Sequence, residues 1–449
     1  MKKIYDYQNA YILVRNYFVF SFKRFYGEYV VNGRENIPAE GPVIYAANHL
    51  NALMDALAVI SILPRKRSIV YLVRSDYFKN KIAAKILCFL KLIPVFRMRD
   101  GMENLEKNQE IFEQCVDVLE HNIALGIMPE GNQGPYKKIR PLVKGIFRIA
   151  FAAQQKNNTP QGVKILPIGI DFGDLEKFGK HVIVNIGKPI EVSEYMEEYI
   201  KSPVSAINQL RERLKNALTA LTLHIDTKTH YDCFETATEV ASTAFTENQG
   251  VPRNTLLRFF TRQNTAKELD KLEKNNPEIT EKLEVLCAEY NENLKKLNLQ
   301  SWVFGKKYYN NTVLFINGLL LTGFFPVFLI GFILNVIPFF LPDIIRKIYK
   351  LKIPGGLSSF RVVIGMLSFP ISYFAQGIAI YKKLNGDFWN LLFIIPLQYI
   401  FGKLAFKWYE SFKKVLAKIR YRKLQLQNSP LLNRTQFLRE EIIQILQAS

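Results

Sequence analysis

The chain has 449 residues, enough for a catalytic domain plus a second region, and a formal net charge of +20 with 49% apolar residues. A soluble nucleic-acid binder reaches such a charge without so apolar and aromatic a composition, whereas a membrane protein facing anionic lipid combines both. The four cysteines, at 88, 115, 233 and 287, have no paired spacing and predict reduced thiols rather than a disulfide framework or a zinc site.

The start, Met1-Lys2-Lys3, has the charge of a secretory signal. Arg15 and Asn16 interrupt the apolar run from Ala10 to Phe22, however, and no small-x-small cleavage site follows. Residues 1–27 are expected to form a helix with one of two placements. It either lies at a membrane interface on Tyr11, Leu13, Phe18, Phe20 and Phe22, flanked by Arg15, Lys23 and Arg24, or packs on the domain that follows.

Residues 28–220 read as an α/β domain. Strand-like runs at Tyr29–Val31, Val43–Ala47, Ile69–Val73, Ile93–Phe96, Ala124–Met128, Ile165–Ile170 and Val182–Ile186 alternate with helical runs at 52–63, 77–91, 102–120 and 142–156. Asn51 is expected to cap the helix from Ala52. Ser202-Pro203 opens a long helix, and residues 221–310 predict an all-helical extension with charged helices at 254–274 and 277–297. His224, His230 and Cys233 fall there at spacings that match no common metal pattern.

Residues 311–406 form the predicted membrane region. Val313–Leu341 is long for one crossing and short for two, so it either spans or re-enters. Leu357–Ile380 and Phe388–Phe406 are predicted spans, and 407–449 is a basic tail. Between Asp343 and Leu426 there are fifteen Lys or Arg and three Asp or Glu. This asymmetry favours a re-entrant first segment and two crossings, with residues 28–220, Arg346–Lys352 and the tail on the cytoplasmic side.

Four stretches carry the candidate chemistry. His49 leaves a predicted strand, and Asp55 lies in the first turns of the next helix. A neutral imidazole takes a proton from a hydroxyl near pH 7, and a carboxylate partner fixes its tautomer. Arg97 and Arg99 follow the strand Ile93–Phe96 and offer forks for a phosphate. Glu130 and Gly131 form a turn after the strand Ala124–Met128, followed by the basic cluster Lys137, Lys138, Arg140 and Lys144. Pro167 and Ile170 lie in a fourth strand. A base, a phosphate clamp and a membrane face suggest transfer to the hydroxyl of a lipid-like phosphate. Each signal is weak singly; their order gives the pattern its force.

That ordered set resembles the four motifs of the phospholipid/glycerol acyltransferase family over about residues 20 to 220. The family has His-(x)4-Asp, Phe-Ile-x-Arg, Phe-Pro-Glu-Gly-Thr-Arg-Ser and Val-Pro-x-x-Ile. Here His49 and Asp55, Phe96 and Arg99, Pro129-Glu130-Gly131, and Pro167 with Ile170 stand at the matching places. Five residues, not four, separate His49 from Asp55. That longer form is similar to a branch that includes eukaryotic glycerol-3-phosphate/glycerone-phosphate acyltransferases, which also carry apolar segments after the domain. Asn132-Gln133-Gly134 replaces Thr-Arg-Ser, so the third-motif arginine is missing, and Arg99 with Lys137, Lys138 or Arg140 is expected to replace it.

The resemblance implies a glycerol-3-phosphate acyltransferase-like α/β domain with a helical extension and C-terminal transmembrane helices. It implies His49 as base, Asp55 as its orienter, Arg97 or Arg99 on the acceptor phosphate, and Glu130 with Gly131 shaping the acceptor pocket. The donor is acyl-CoA or acyl carrier protein as co-substrate. The acceptor is glycerol 3-phosphate, glycerone phosphate or 1-acyl-glycerol 3-phosphate, in phosphatidic acid and phospholipid biosynthesis. No metal, other cofactor or nucleic-acid partner is expected. The rival reading is a non-catalytic, membrane-tethered lipid-binding protein that keeps the fold, which the intact His49 and Asp55 disfavour.

Overall fold

The computed structural model describes residue 4 and residues 9–64, 67–96, 102–156, 161–251, 254–305, 309–383 and 388–448. The chain divides into two compact units. The first takes residues 1–224 and returns for Ile353–Val362; the second takes Ile225–Lys352 and Val363–Ser449.

The first unit runs α1 (Asn9–Phe25), β1 (Glu28–Asn32), β2 (Val43–Ala47), α2 (Leu53–Ile62), β3 (Ile69–Arg74), α3 (Lys81–Phe89), β4 (Leu92–Val95), α4 (Met102–Glu120), β5 (Ala124–Ile127), α5 (Gly145–Lys156), β6 (Lys164–Phe172), β7 (His181–Ile186), β8 (Ile190–Glu191), α6 (Met196–Lys201) and α7 (Pro203–Leu221). The strand order is β1-β7-β6-β2-β5-β3-β4, with β8 added on β6. Pairings are parallel except β6–β7 and β6–β8.

β2 is central, and every residue in it is buried. Both faces of a parallel strand are covered, which is why its sequence is a continuous apolar run rather than an alternation. Ile44 and Ala46 join Val70, Leu125 and Ile165 in a core shared with Cys115 of α4, Phe147 of α5 and Leu210 of α7. On α2, the Ala56 carbonyl accepts from the Tyr71 hydroxyl (3.3 Å), and on β3 the Ile69 carbonyl accepts from the Tyr11 hydroxyl of α1 (3.3 Å). β2 and β5 run side by side, Ala46 opposite Ile127, so their C-terminal ends open on one edge of the sheet. Crevices at such an edge are where α/β folds place ligands.

α1 packs on the domain with Tyr11, Arg15 and Phe22, three of the residues read from sequence as interfacial. Arg15 supplies what α2 lacks. That helix has no basic residue in its last turn. The Arg15 guanidinium donates to the carbonyls of Arg67 (2.7 Å) and Pro64 (3.1 Å), with longer contacts to Ile60 and Leu63. A cation at a helix C-terminus satisfies orphan carbonyls and complements the dipole. Leu13, Tyr17 and Phe20 remain exposed on the opposite side. α3 is shorter than its apolar run suggests, because the Asn80 side chain accepts from the Ile82 and Ala83 N–H groups and restarts the helix after a 3-10 turn at Ser75–Phe78. Ser202 caps α7 as its sequence indicates, with Pro203 in the first turn.

The second unit contains α8 (Tyr231–Asn248), α9 (Thr255–Asn275), α10 (Pro277–Leu297), α11 (Asn311–Gly323), α12 (Phe325–Ile348), α13 (Leu357–Lys383), α14 (Leu391–Leu426) and α15 (Pro430–Ala448); the first residues of α13 belong to the first unit. α8, α9, α10 and α15 pack together, with the Arg434 fork on both oxygens of Glu289 at 2.7 and 2.6 Å.

Among the described residues, α12, α13 and α14 are long and apolar enough to cross a membrane. The predicted segment 313–341 is two helices, broken at Phe324 after Gly323 and before Pro326. Proline is best tolerated in the first turn of a helix, and Pro326 takes that place in α12, which also carries Pro338 and Pro342 farther along. α14 runs on past the predicted span end at Phe406 until Asn428, at φ 47°, and Pro430 begin α15. The apolar helices turn Leu319, Ile333, Ile337 and Phe393 outward and polar groups inward. The Tyr373 hydroxyl donates to Asn335 Oδ1 (2.5 Å), Gln398 Nε2 to the Tyr373 carbonyl (3.1 Å) and Ser368 Oγ to the Pro338 carbonyl (3.1 Å). Such inter-helix hydrogen bonds hold helices together where the surroundings are apolar.

Candidate active site

The site begins where β2 ends. Asn48 is buried, and its amide continues the β2–β6 ladder: Oδ1 accepts from the Ile170 N–H (2.7 Å) and Nδ2 donates to the Ile170 carbonyl (3.0 Å). His49 then sits at the strand end, partly exposed. Its Nδ1 lies 2.8 Å from Asp55 Oδ2, and Asp55 is fully buried. The same oxygen accepts the Asn51 N–H at 2.7 Å. Asp55 lies in the first turn of α2, where the helix dipole favours a carboxylate.

The cap read at Asn51 is corrected by the structure. The N-cap position of α2 is Ala52, with no side-chain cap. Residues 51–54 close a turn through Met54 N–H to the Asn51 carbonyl (2.9 Å). Ala52 holds φ 44°, ψ −122° in that turn, a conformation that favours glycine. Strain of this kind is worth about 1–3 kcal/mol and persists only where the surroundings enforce it. The Asn51 side chain is directed elsewhere, with Nδ2 on the Leu175 carbonyl (2.9 Å) and Oδ1 accepting from Ser358 Oγ (2.7 Å). Nearby, burial holds the Tyr26 phenol well above its ordinary pKa, and the Asp55 charge adds to the effect, so it stays neutral.

Glu130 and Gly131 follow β5 onto the same edge. Gly131 takes φ +71°, its N–H on the Met128 carbonyl (3.0 Å). Glu130 is buried. Its Oε1 accepts the His49 N–H (2.8 Å), and its Oε2 accepts the backbone N–H (3.0 Å) and Nε (2.7 Å) of Arg140. Arg140 Nη2 donates to the His49 carbonyl (2.7 Å), which also accepts the Gly134 N–H (3.3 Å). Glu130 and Arg140 thus grip both ends of the His49 backbone.

Lys137 donates to Asp171 Oδ1 (2.7 Å) and, at 3.4 Å, to the Phe172 carbonyl. With Lys138, Asn48, Ile170 and Thr222 this pair lines a small pocket. Lys137 is therefore charge-compensated, a pairing invisible in the local sequence because Asp171 comes from β6. Arg97 and Arg99 lie outside the described residues. Before them, Asn108 brackets the end of β4 through the N–H (3.1 Å) and carbonyl (2.8 Å) of Phe96. His224 accepts the Ile139 N–H (2.9 Å), and His230 pairs with Glu284. Among the described residues no three His, Cys, Asp or Glu side chains are grouped to hold a metal. Asn48, the bracing by Arg140 and the Ser358 contact to Asn51 are features of the candidate site that the sequence did not reveal.

The arrangement offers a base whose Nδ1 is committed to a buried carboxylate, leaving Nε2 for an incoming hydroxyl. The sequence model of the Acyltransferase family matches residues 28–171. Glycerol-3-phosphate O-acyltransferase 1 of Saccharomyces cerevisiae is 22% identical over 307 aligned positions, covering 65% of this chain and 40% of that protein. The chain therefore spans less than half the length of this curated relative. The crystal structure of the 1-acyl-sn-glycerophosphate acyltransferase PlsC from Thermotoga maritima matches 47% of this chain and 80% of its own, at 18% identity and a TM-score of 0.34.

Proposed function

We propose that this chain, a member of the phospholipid/glycerol acyltransferase family through its residues 28–171, moves a fatty acyl group from an acyl thioester to a hydroxyl of a glycerophosphate. The observation that carries the reading is the 2.8 Å contact between His49 and a fully buried Asp55 at the open edge of the sheet.

His49 Nε2 removes the proton of the acceptor hydroxyl while Asp55 steadies the forming imidazolium. The alkoxide oxygen bonds to the thioester carbonyl carbon, and the tetrahedral intermediate collapses with cleavage of the carbon–sulfur bond. The thiolate takes the proton back from His49. No acyl-enzyme forms. Glycerol 3-phosphate or glycerone phosphate is the preferred acceptor, on the longer His49–Asp55 spacing, ahead of 1-acyl-glycerol 3-phosphate. The donor is acyl-CoA or acyl carrier protein.

Radiolabelled acyl-CoA offered to membranes containing the protein, with glycerol 3-phosphate, 1-acyl-glycerol 3-phosphate or a zwitterionic lysophospholipid, tests this. Label is expected in the product of the first, absent from His49→Ala membranes. Label only in the zwitterionic product, or equal label in both preparations, overturns the assignment.

The chain is held in a membrane with residues 28–220 on the cytoplasmic side, α13 and α14 crossing and α11–α12 re-entering. The grouping of Ile353–Val362 with the unit that holds His49 supports this path, as does the basic stretch Arg346–Lys352. α14 is about 54 Å long at 1.5 Å per residue, against a hydrocarbon core of about 30 Å. Single cysteines at Lys383 and Lys413 are expected to label from opposite faces of sealed vesicles; labelling from one face rejects the two-crossing path.

A further inference from the structure

The stretch Ile353–Val362 follows 128 residues that belong to the other unit, Ile225–Lys352, yet it groups with the unit that holds His49. It is fixed there at three points. Gln133 Nε2, just past the Glu130-Gly131 turn, donates to the Pro354 carbonyl (3.1 Å). The fully buried Ser358 donates its hydroxyl to Asn51 Oδ1 (2.7 Å). Arg361 Nη1 donates to the Glu176 carbonyl (2.9 Å), next to the Leu175 carbonyl that holds the other end of the Asn51 amide (2.9 Å). Gly355 takes φ +64°, a backbone conformation that favours glycine, and its Cα faces the Gln133 side chain.

Asn51 is where these contacts meet the chemistry. Its side chain is held at both ends, by Ser358 and by Leu175, and its backbone N–H donates to the Asp55 oxygen that also meets His49. The next residue, Ala52, is the strained one. A turn under strain relaxes unless its neighbours are pinned.

We infer that Ser358 is a positioning residue for the His49–Asp55 pair, acting through Asn51, so that the stretch Ile353–Val362, which leads into α13 and forms its first turns, is a working part of the catalytic unit. The inference rests on the acyl-transfer reading of His49. A fragment ending at residue 224 would carry the histidine and the carboxylate without this brace.

The test uses the full chain in membranes, with Ser358→Ala, Asn51→Ala, the double variant and Gln133→Ala. Ser358→Ala is expected to lower kcat about tenfold with acceptor KM within about twofold, since displacements of 1 Å cost up to ~10²-fold. The double variant is expected to be no slower than Asn51→Ala, because the two residues act as one. Amide hydrogen exchange across residues 48–56 is expected to quicken in Ser358→Ala, and in Gln133→Ala to a smaller degree, while global unfolding is unchanged. Losses that multiply in the double variant overturn the inference, as does unchanged exchange or a wild-type kcat in Ser358→Ala. Exchange does not depend on the reaction. Quickened exchange in Ser358→Ala, with a parent protein that acylates no acceptor, leaves the brace standing and rejects the acyl-transfer reading instead.

Discussion

His49→Ala is expected to lower acyl transfer by roughly 10²–10⁴-fold, the usual loss on removing a general base. The fall belongs in kcat and kcat/KM together, because the imidazole acts when the hydroxyl gives up its proton and not when the acceptor binds. Asp55→Asn is expected to fall in the same range. Asp55 Oδ2 accepts both His49 Nδ1 and the Asn51 N–H. An amide with its NH2 in the Oδ2 place loses both acceptances, and with its oxygen there it keeps them but lacks the charge that stabilises the imidazolium. A paired carboxylate that fixes its histidine is worth ~10⁴ in the serine-protease triad, where Asp→Asn leaves the geometry intact. Initial rates from membranes at matched protein levels decide the matter. Purified His49→Ala with near wild-type transfer would falsify the mechanism.

How far the sequence led depended on where each partner lies along the chain. β2 matches its apolar run residue for residue, and α4 and α10 match their predicted bounds, because a buried parallel strand and an amphipathic helix each have a local signature. The pairing of His49 with Asp55 was legible for the same reason, being six residues apart. α8 was not. Its buried side includes Thr238, Ser242, Thr243 and Thr246, several of whose hydroxyls return to carbonyls of their own helix, so no apolar stripe betrays it. The break between α11 and α12 was marked by Gly323 and Pro326 but hidden within a continuous apolar run. Lys137 reads as a free cation until β6 brings Asp171 beside it. Ser358, 307 residues from Asn51, has no local signal at all.

Glu130 carries the second large effect, and the reason separates it from Arg140. Glu130→Ala strips the acceptors from three donors at once: the His49 N–H, the Arg140 N–H and Arg140 Nε. It also leaves a partly buried guanidinium unpaired. The guanidinium left behind is 29% exposed and keeps the His49 carbonyl, so the loss of stability is expected to stay below the ~3–5 kcal/mol of a fully buried pair, and a loosened His49 backbone is expected to lower kcat by roughly 10²-fold. Arg140→Ala leaves the buried Glu130 carboxylate without its cation, the costlier side of the pair for stability, but it loosens the His49 backbone less. The residue keeps its backbone N–H for Glu130, and the His49 carbonyl keeps the Gly134 N–H. Its kcat is expected to fall only about tenfold. Acceptor KM then reports on the remaining nitrogen, Nη1. If Nη1 meets the acceptor phosphate in place of the missing third-motif arginine, Arg140→Ala raises KM for glycerol 3-phosphate several-fold while Glu130→Ala does so far less. Arg140→Lys does not restore either parameter, because an ammonium cannot bridge Glu130 and the His49 carbonyl as a planar fork does. Thermal unfolding of the variants, with kcat and KM measured separately, tests the ordering. An Arg140→Ala enzyme slower than Glu130→Ala would assign the arginine a direct part in the chemistry and reduce Glu130 to a structural support.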